Sequence, residues 1–384
     1  MEYSLVFWGV LIFCLICLIQ LFFLLLLRWR NCIGQTSDTG ALRPVSVIIC
    51  ARNEVSNLQQ FLPLVLNQDY PPDLFEVLLV DDQSTDGTAA LLSQLQYQYP
   101  QLKVLHIDPN IQKDLPGKKY ALREGIAAAK FDRLLLTDAD CYPASVLWLQ
   151  IMANQPAEIV LGYGAYQKQS SLLNQFIRWE TIHTAIQYFS YAFVGRPYMG
   201  VGRNLCYDQS VLQNLEKAES FQEVYRQTPS GDDDLLISQM ARAANTGICL
   251  LADTHTVSLA QSDWSSWWRQ KTRHSSTGKY YPSNIKRYLG AYSLSHCLYW
   301  FMAILLFVYL GVHIGEPHAI SLLGIVALFF FLRLSLYWWN TALWYRALAE
   351  KNIFWFYPIG DLGWAIYNVL LSPYIFFKNR QQWK

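Results

Sequence analysis

Three clusters of aspartate are candidate functional groups in this chain, and the first cluster is a pair. Asp138 and Asp140 stand one residue apart, directly after the apolar run RLLLT. In an extended segment, two carboxylates at this spacing reach the same side of a strand end, where they can hold a hard divalent cation such as Mg²⁺ or Mn²⁺ that bridges a diphosphate. The alternative is a solvated turn, in which Asp is common. The position after an apolar run favours the metal site.

The second cluster, Asp81 and Asp82, follows the apolar run FEVLLV. Carboxylates at a strand end can accept hydrogen bonds from the N–H of a nucleotide base and from ribose hydroxyls. Turn chemistry with a helix cap at Ser84 or Asp86 explains the same residues equally well. The sequence therefore leaves both interpretations of this cluster open.

The third cluster, Asp232, Asp233 and Asp234, precedes the apolar start of a helical pattern. A helix N-terminus stabilises an anion by about 0.3–1 kcal/mol, so capping alone is one interpretation. Three adjacent acids exceed what capping needs. Crowded like charges raise the pKa of one member, which is how a general base is tuned, so this cluster is a candidate for the catalytic base.

A basic and aromatic stretch at 264–274 includes Gln270, Lys271 and Arg273. Its composition is typical of an amphipathic helix in a membrane interface. Its cations could also clamp a diphosphate leaving group, and the two interpretations are compatible. Lys118, in the triplet GKK before a helical pattern, is either a phosphate contact or a solubilising surface lysine.

The aspartate clusters lie in a region where predicted strands and helices alternate. The predicted strands are 45–50, 75–80, 103–107, 133–137, 158–161 and 248–252. Helical spacing predicts helices at 54–67, with Asn53 as the N-cap, and at 121–129. The alternation predicts an α/β domain with a mostly parallel central sheet. In such sheets ligands bind beyond the carboxyl ends of the strands, where the acidic clusters lie.

Apolar runs at both ends of the chain predict membrane-spanning helices. Residues 3–27 carry no charge and are long enough to cross a bilayer. Arg28 and Arg30 follow, and the positive-inside rule places that end, and the domain after it, in the cytoplasm. Two more spans are predicted at 294–312 and at 320–339; the second contains Arg333, which could snorkel or pair inside the bundle.

The final apolar run, at 353–377, fits two arrangements. A full crossing would put Lys378, Arg380 and Lys384 outside, against the charge rule. A re-entrant or interfacial hairpin would keep these cations inside. We expect the hairpin.

Composition agrees with a membrane protein and excludes several classes. The chain has 384 residues, 53% of them hydrophobic and 15% aromatic, and a net charge of +1, which gives no indication of a nucleic-acid partner. Its eight cysteines are scattered and do not predict a disulfide framework. The absence of a GxGxxG motif and of a P-loop argues against a dehydrogenase and an NTPase.

An ordered set of motifs is more specific than any one of them. The set is VSVIICARNE, VDDQSTDGT, PGKKYALREGI, LLTDADC, GRNLCYD, GDDDLL and QKTRH. In this order it resembles the family 2 glycosyltransferases of the GT-A fold, over roughly residues 44–282, with the membrane-bound processive and ceramide-type members closest in layout. The resemblance implies metal-dependent, inverting transfer from a nucleotide-diphosphate sugar, UDP-linked at the family level, to a lipid-linked or glycan acceptor.

The resemblance also implies roles for individual residues. Those implied on the donor side are Ala51, Asn53, Glu54, Asp81, Asp82, Lys118, Asp138, Gln270, Arg273 and His274. Those implied on the acceptor side are Gly202, Arg203, Asn204 and Asp232. Asp233 corresponds to the catalytic aspartate of the family, and Asp138 and Asp140 correspond to its metal-binding pair.

Two departures from the family pattern bear on the chemistry. Asp232 stands where the family has Glu, so the base could be shifted by one residue within the acidic triplet. His274 stands where the family has a Trp that helps grip the acceptor sugar of processive members. The substitution favours transfer of a single sugar, or a lipid acceptor, over polymer synthesis.

We therefore expect three parts: an N-terminal transmembrane helix at 1–30, a cytoplasmic GT-A domain with interfacial helices at 41–285, and C-terminal transmembrane or re-entrant helices at 290–384. The segment 172–194 is either an interfacial helix that guides a lipid-linked acceptor or an ordinary helix packed on the sheet. The expected location is a bacterial inner membrane, in contact with membrane lipids. The expected partners include no nucleic acid.

Other classes of function remain as alternatives to the transferase. A transporter would not explain the large α/β domain with acidic strand ends. A non-catalytic membrane scaffold with a transferase-like fold need not retain Asp138, Asp140, Asp233 and Arg273. A processive polysaccharide synthase would be expected to have more membrane spans.

Overall fold

The central domain is built on a mostly parallel sheet, as the sequence predicted. The computed structural model describes residues 2–27, 41–214, 219–228, 231, 233–275 and 277–377. Its strands are β1 Val45–Ala51, β2 Phe75–Asp81, β3 Leu102–His106, β4 Arg133–Asp138, β5 Cys141–Pro143, β6 Ile159–Leu161, β7 Gly164–Tyr166, β8 Leu205–Asp208, β9 Thr246–Ile248 and β10 Thr256–Ser258. A seven-stranded sheet has the order β3-β2-β1-β4-β8-β6-β9, and a three-stranded sheet has the order β5-β10-β7. Within the larger sheet only β8 runs antiparallel to its neighbours, β4 and β6.

Helices cover both faces of the larger sheet and extend into a separate bundle. They are α1 Glu2–Leu26, α2 Val55–Leu66, α3 Thr88–Gln98, α4 Lys119–Ala128, α5 Trp148–Ala153, α6 Leu172–Phe193, α7 Glu219–Gln227, α8 Asp234–Met240, α9 Trp264–Ser275, α10 Ser283–Val312, α11 Ala319–Ala347 and α12 Tyr357–Phe377. Alternate residues of β1 enter different cores. Val47 and Ile49 pack with α2 and α5, whereas Ile48 and Cys50 pack on the side of α4 and α6. Burial on both faces explains why β1 is a continuous apolar run.

Two local predictions were wrong. Asn53 is not a helix cap: its backbone is left-handed, with φ of 56°, and its Oδ1 accepts a hydrogen bond from the backbone N–H of Thr85 at 2.7 Å. Asn tolerates this conformation better than most residues, and here it joins two loops. The strand predicted at 248–252 is β9, which ends at Ile248, and a short 3₁₀ turn follows at Ala252–Thr254.

The segment 172–194 is a helix buried within the protein. This helix, α6, contacts β7 and β9 on one side and α11 and α12 on the other. Trp179 and Phe189 are 1% and 0% exposed. Since protein surrounds its apolar side chains, α6 is a packed helix rather than an interfacial one, and it joins the sheet domain to the C-terminal helices.

The final apolar run does not form a hairpin. Residues Tyr357–Phe377 form one helix, α12, which packs against α10 and α6. A chain reversal would leave backbone N–H and C=O groups without hydrogen-bond partners in an apolar environment, whereas a continuous helix pairs them. The cations at 378, 380 and 384 lie outside the described residues.

Within the described part of the chain, three helices are long and apolar enough to cross a membrane, judged by length and composition. They are Ser4–Leu26, Ser283–Val312 and Ala319–Ala347. The third helix follows the span predicted at 320–339, whereas the predicted 294–312 is only the C-terminal part of the longer helix α10. Their exposed surfaces are apolar, as is expected of helices that face lipid.

A buried polar network joins four helices of the bundle. Arg333 on α11 donates to Asp361 Oδ2 on α12 at 2.5 Å and to Gln20 Oε1 on α1 at 2.9 Å. Its Nη2 also lies 2.9 Å from Nδ1 of His296 on α10. All four side chains are 0% exposed. Arg333 therefore pairs inside the bundle and does not snorkel.

We expect Arg333→Met to destabilise the bundle by roughly 3–5 kcal/mol, because it leaves the Asp361 carboxylate buried without its cation. Thermal denaturation in detergent micelles measures the effect. Arg346→Met is the matched control, because Arg346 is exposed on the same helix. Replacing both members, Arg333→Met with Asp361→Leu, should cost less than the sum of the single changes. Equal stabilities of the Arg333 and Arg346 variants would contradict this role.

Candidate active site

A cavity of about 420 Å³ lies beyond the carboxyl ends of β1 and β4, where ligands bind in open α/β sheets. The predicted site residues that line it are Glu54, Lys118, Asp138, Asp140, Gly202, Arg203, Asp233, Gln270, Arg273 and His274. Side chains that are far apart in the sequence thus meet in one cavity. Ala51, Asn53, Asp81, Asp82 and Asn204 do not line it.

Two aspartates at the end of β4 form a candidate cation site. Ligand atoms of Asp138, Asp140 and Cys141 lie within 4.8 Å of one another. Burial raises the pKa of the Cys141 thiol well above its usual value, and its Sγ lies 3.0 Å from Ser258 Oγ. A protonated thiol is a poor ligand, so the two carboxylates remain as a hard oxygen donor set that fits Mg²⁺ or Mn²⁺.

Lys118 keeps Asp138 ionised. Burial acts to raise the pKa of Asp138, but the Lys118 ammonium, which is hydrogen-bonded to Asp138 Oδ1, outweighs it, and Arg203 acts in the same direction. The net pKa of Asp138 is lower than usual. The carboxylate is therefore negatively charged at neutral pH, as a metal ligand must be.

The acidic triplet separates into residues with different surroundings. The Asp233 carboxylate accepts from the backbone N–H of Gly202 at 2.6 Å and of Asp234 at 2.8 Å, and it lines the cavity. Asp234 Oδ2 accepts from the hydroxyls of Thr277 and Tyr281, both at 2.7 Å, and the residue is 8% exposed. These bonds give Asp234 a structural role and leave Asp233 as the better placed acid. Asp232 lies outside the described residues.

Helix α9 carries the QKTRH motif into the cavity. Gln270, Arg273 and His274 are spaced to share one face of the helix, and all three line the cavity. Arg273 Nη2 lies 3.4 Å from His274 Nε2. Desolvation by the cavity wall and the neighbouring cations Arg273 and Lys271 lower the pKa of His274, so the imidazole is neutral at physiological pH. The ammonium of Lys271 is hydrogen-bonded to Glu180 of α6.

The second acidic cluster lies beside the cavity, one strand away. Asp81 pairs with Ala51 in the β1–β2 register, and its Oδ2 lies 3.0 Å from His106 Nδ1. Asp82 Oδ1 accepts from Lys113, whereas its buried Oδ2 has no hydrogen-bond partner among the described residues. An unpartnered buried carboxylate oxygen is costly. Asp82 Oδ2 is therefore an acceptor available for a ligand N–H or O–H.

Asn204, predicted on the acceptor side, is instead a structural residue. Its amide Nδ2 donates to the carbonyls of Tyr163 and Thr254, at 2.8 and 2.7 Å, and its Oδ1 accepts from Trp148 Nε1 at 3.1 Å. Both amide hydrogens are thus used within the protein. Arg203 is held similarly at the cavity wall, where its guanidinium donates to the carbonyl of Gly164 at 2.6 Å.

Several cavity residues were missed by the sequence interpretation. Arg52 stands within the ARNE motif, so its position next to Asn53 was a usable signal. Others come from helices outside the motifs: Thr184 and Tyr188 on α6, whose segment was a candidate acceptor guide only as a whole, and Tyr367 on α12. Packing of these helices, and not local sequence, brings them to the site.

Comparison with known proteins agrees with this geometry. Residues 46–184 match the family model described as glycosyl transferase family 2. The probable glycosyltransferase YdaM of Bacillus subtilis is 27% identical over 272 residues, which are 66% of this chain and 58% of that protein. The beta-monoglucosyldiacylglycerol synthase of Synechocystis is 33% identical over 137 residues, which are 36% of this chain and 27% of that protein. The chain thus spans less than two thirds of either relative.

A solved structure has the same fold over nearly the whole chain. It is the mannosyltransferase PcManGT from Pyrobaculum calidifontis, in complex with GDP-Man and Mn²⁺. The TM-score is 0.52 at 17% identity, with 95% of this chain and 97% of that chain covered. At this identity the likeness establishes the fold alone. The family model identifies residues 46–184 as a glycosyltransferase family 2 domain, the relatives are glycosyltransferases, and the chain has the GT-A fold, as its motifs indicated.

Proposed function

We propose that the protein transfers one sugar from a nucleoside-diphosphate sugar to the hydroxyl of a lipid-linked or glycan acceptor, with inversion at the anomeric carbon. The observation that carries this proposal is the meeting of Asp138, Asp140, Asp233 and Arg273 in one cavity. The first two provide a site for a divalent cation, the third an acceptor for a proton and the fourth a cation for the leaving group. A non-catalytic scaffold would not require this combination.

The donor is proposed to extend along the carboxyl ends of β2, β1 and β4. Asp82 Oδ2, which lacks a partner among the described residues, is suited to accept from a base N–H, and Asp81 lies next to it. Asp138 and Asp140 would hold Mg²⁺ or Mn²⁺, which supplies positive charge to the diphosphate when bound. Lys118 and Arg273 add cationic groups to the same cavity.

Asp233 is proposed as the general base. Its two backbone hydrogen bonds fix the orientation of the carboxylate in the cavity. The carboxylate takes the proton of the acceptor hydroxyl, and the hydroxyl oxygen forms a bond to the anomeric carbon. The bond from that carbon to the diphosphate breaks, and the nucleoside diphosphate leaves with the electron pair beside Arg273.

The acceptor side is proposed to open toward the membrane helices. Tyr367 of α12 and Thr184 and Tyr188 of α6 line the cavity, and so does Met199. The buried hydroxyl of Tyr163, also in the wall, has no hydrogen-bond partner among the described residues. A mixed wall of rings and hydroxyls suits a sugar or a lipid headgroup that approaches from the bilayer.

The relatives and the membrane helices support a glycolipid or cell-envelope product. One relative is named a beta-monoglucosyldiacylglycerol synthase. We propose that the protein lies in a bacterial inner membrane with its catalytic domain in the cytoplasm. The donor is proposed to be UDP-linked, as the family resemblance implies, and GDP-sugars belong in the same test because the structural neighbour was solved with GDP-Man. Processive polymer synthesis is disfavoured by His274, which replaces the family's Trp.

We expect Asp233→Asn to lower sugar transfer about 10²–10⁴-fold, because general-base assistance contributes on this order. Release of nucleoside diphosphate by purified protein, supplied with UDP- or GDP-sugars, Mn²⁺ and membrane lipid extract, measures the rate. Asp253→Asn is the matched control, since Asp253 is an exposed acid that does not line the cavity. Failure of the wild type to bind or turn over any donor would leave the scaffold interpretation, and a fully active Asp233 variant would exclude Asp233 as the base.

We expect Asp138→Asn to weaken Mn²⁺ binding by about 10-fold or more, because it removes one of two anionic ligands. Electron paramagnetic resonance of free Mn²⁺ measures the binding without any need for turnover. Cys141→Ala should leave Mn²⁺ affinity unchanged, because Mn²⁺ prefers oxygen ligands to a thiol sulfur. A loss of affinity in the Cys141 variant, with none in the Asp138 variant, would contradict the assignment.

A further inference from the structure

Arg52 is a cationic residue in the wall of the cavity. It directly follows β1 and lines the cavity together with Cys50 and Glu54. Cys50 pairs with Asp138 in the parallel register of β1 and β4. Side chains two residues apart along a strand point to the same face. Arg52, just past the end of β1, therefore points to the same face as Cys50, which pairs with Asp138.

Most other cations of the cavity wall are engaged within the protein. Lys118 pairs with Asp138, and Lys271 pairs with Glu180. Arg203 donates to Gly164 and Ser258. Such groups change partners only by giving up existing bonds.

Arg52 differs from them because it makes no hydrogen bond or ion pair with any residue that the structure describes. It is only half-buried, yet the carboxylates of Glu54, Asp138 and Asp140 line the same cavity. Arginine offers five N–H donors in a planar fork that matches phosphate oxygens in pairs. A guanidinium that has no partner among the described residues is suited to an anion that enters the cavity.

We propose that Arg52 binds the diphosphate of the donor, on the side nearer the nucleoside. The strand order supports this position: β1 lies between β2, which ends at the acceptors Asp81 and Asp82, and β4, which ends at Asp138. A nucleotide that extends from the first pair to the second must pass the end of β1. The assignment rests on the proposed function, since it presupposes a nucleoside-diphosphate donor.

Binding of nucleotides to the full chain in detergent, with Mn²⁺ present, tests the assignment. Isothermal titration with UDP and GDP identifies the nucleotide that the wild type binds. Arg52→Gln should weaken binding of that diphosphate about 10–100-fold, the range expected for loss of charge-assisted hydrogen bonds. Arg52→Lys, which keeps the charge without the fork, should recover part of the affinity. The corresponding nucleoside, uridine or guanosine, should bind both variants as it binds the wild type.

Arg123→Gln is the matched control, because the Arg123 guanidinium pairs with Asp114 and Glu124 outside this cavity. It should leave nucleotide affinity unchanged, and thermal denaturation of all variants checks that the fold is retained. Unchanged affinity of Arg52→Gln for the diphosphate would overturn the assignment and leave the proposed function intact. An equal loss of nucleoside binding would also overturn it, because it would place Arg52 against the base. If the wild type binds neither UDP nor GDP, the proposed function itself fails.

Discussion

Parallel hydrogen bonding between β1 and β4 sets Cys50 against Asp138, and the position of the whole site depends on this register. Parallel strands end at the same edge of a sheet, so the pairing brings the loop after β1 and the acidic loop after β4 together. The neighbouring pairing of β1 with β2 adds the second acidic cluster at the same edge. A slip of one residue in the β1–β4 ladder would turn Asp138 to the opposite face of the sheet, away from the cavity.

The helical bundle and the sheet domain both contribute residues to the cavity. Helix α6 lies between them, and α12 brings Tyr367 to the cavity. The position of α12 is in turn held by Asp361, which accepts from Arg333 and also from Trp300 and Tyr357 at 2.9 Å. In an apolar surrounding such a network is stable only when its members are paired, so it specifies one arrangement of the four helices. The network therefore contributes indirectly to the shape of the cavity.

The acids of the site have different hydrogen-bond partners. Asp234 is occupied by two hydroxyls, Asp138 is kept ionised by Lys118, and Asp233 is held by backbone N–H groups. These environments suit structural support, cation binding and proton acceptance, respectively. Residues of one chemical type, two of them adjacent in sequence, thus differ in their proposed roles because the surrounding hydrogen bonds differ.

Local sequence was sufficient to predict most strands of the larger sheet, their parallel arrangement, the acidic strand ends and three long apolar helices, but not β5, β7, β8 and β10. These features depend on local apolar periodicity and on composition, which can be recognised without knowing what packs against what. The same local logic was wrong for Asn53, whose side chain accepts a hydrogen bond from Thr85 on another loop. It was also wrong for 353–377, where the charge rule suggested a hairpin but residues Tyr357–Phe377 form one helix packed against α10 and α6.

Contacts between distant parts of the chain determine which candidate side chains face the cavity. Asn204 belongs to a recognisable motif, yet its amide is used by Tyr163, Thr254 and Trp148, residues from distant parts of the chain. Arg52 and Tyr367 line the cavity although the sequence interpretation missed both. Strand register positions Arg52, and helix packing positions Tyr367. A side chain's partners are set by contacts across long sequence separations, and a single sequence carries no direct record of those contacts.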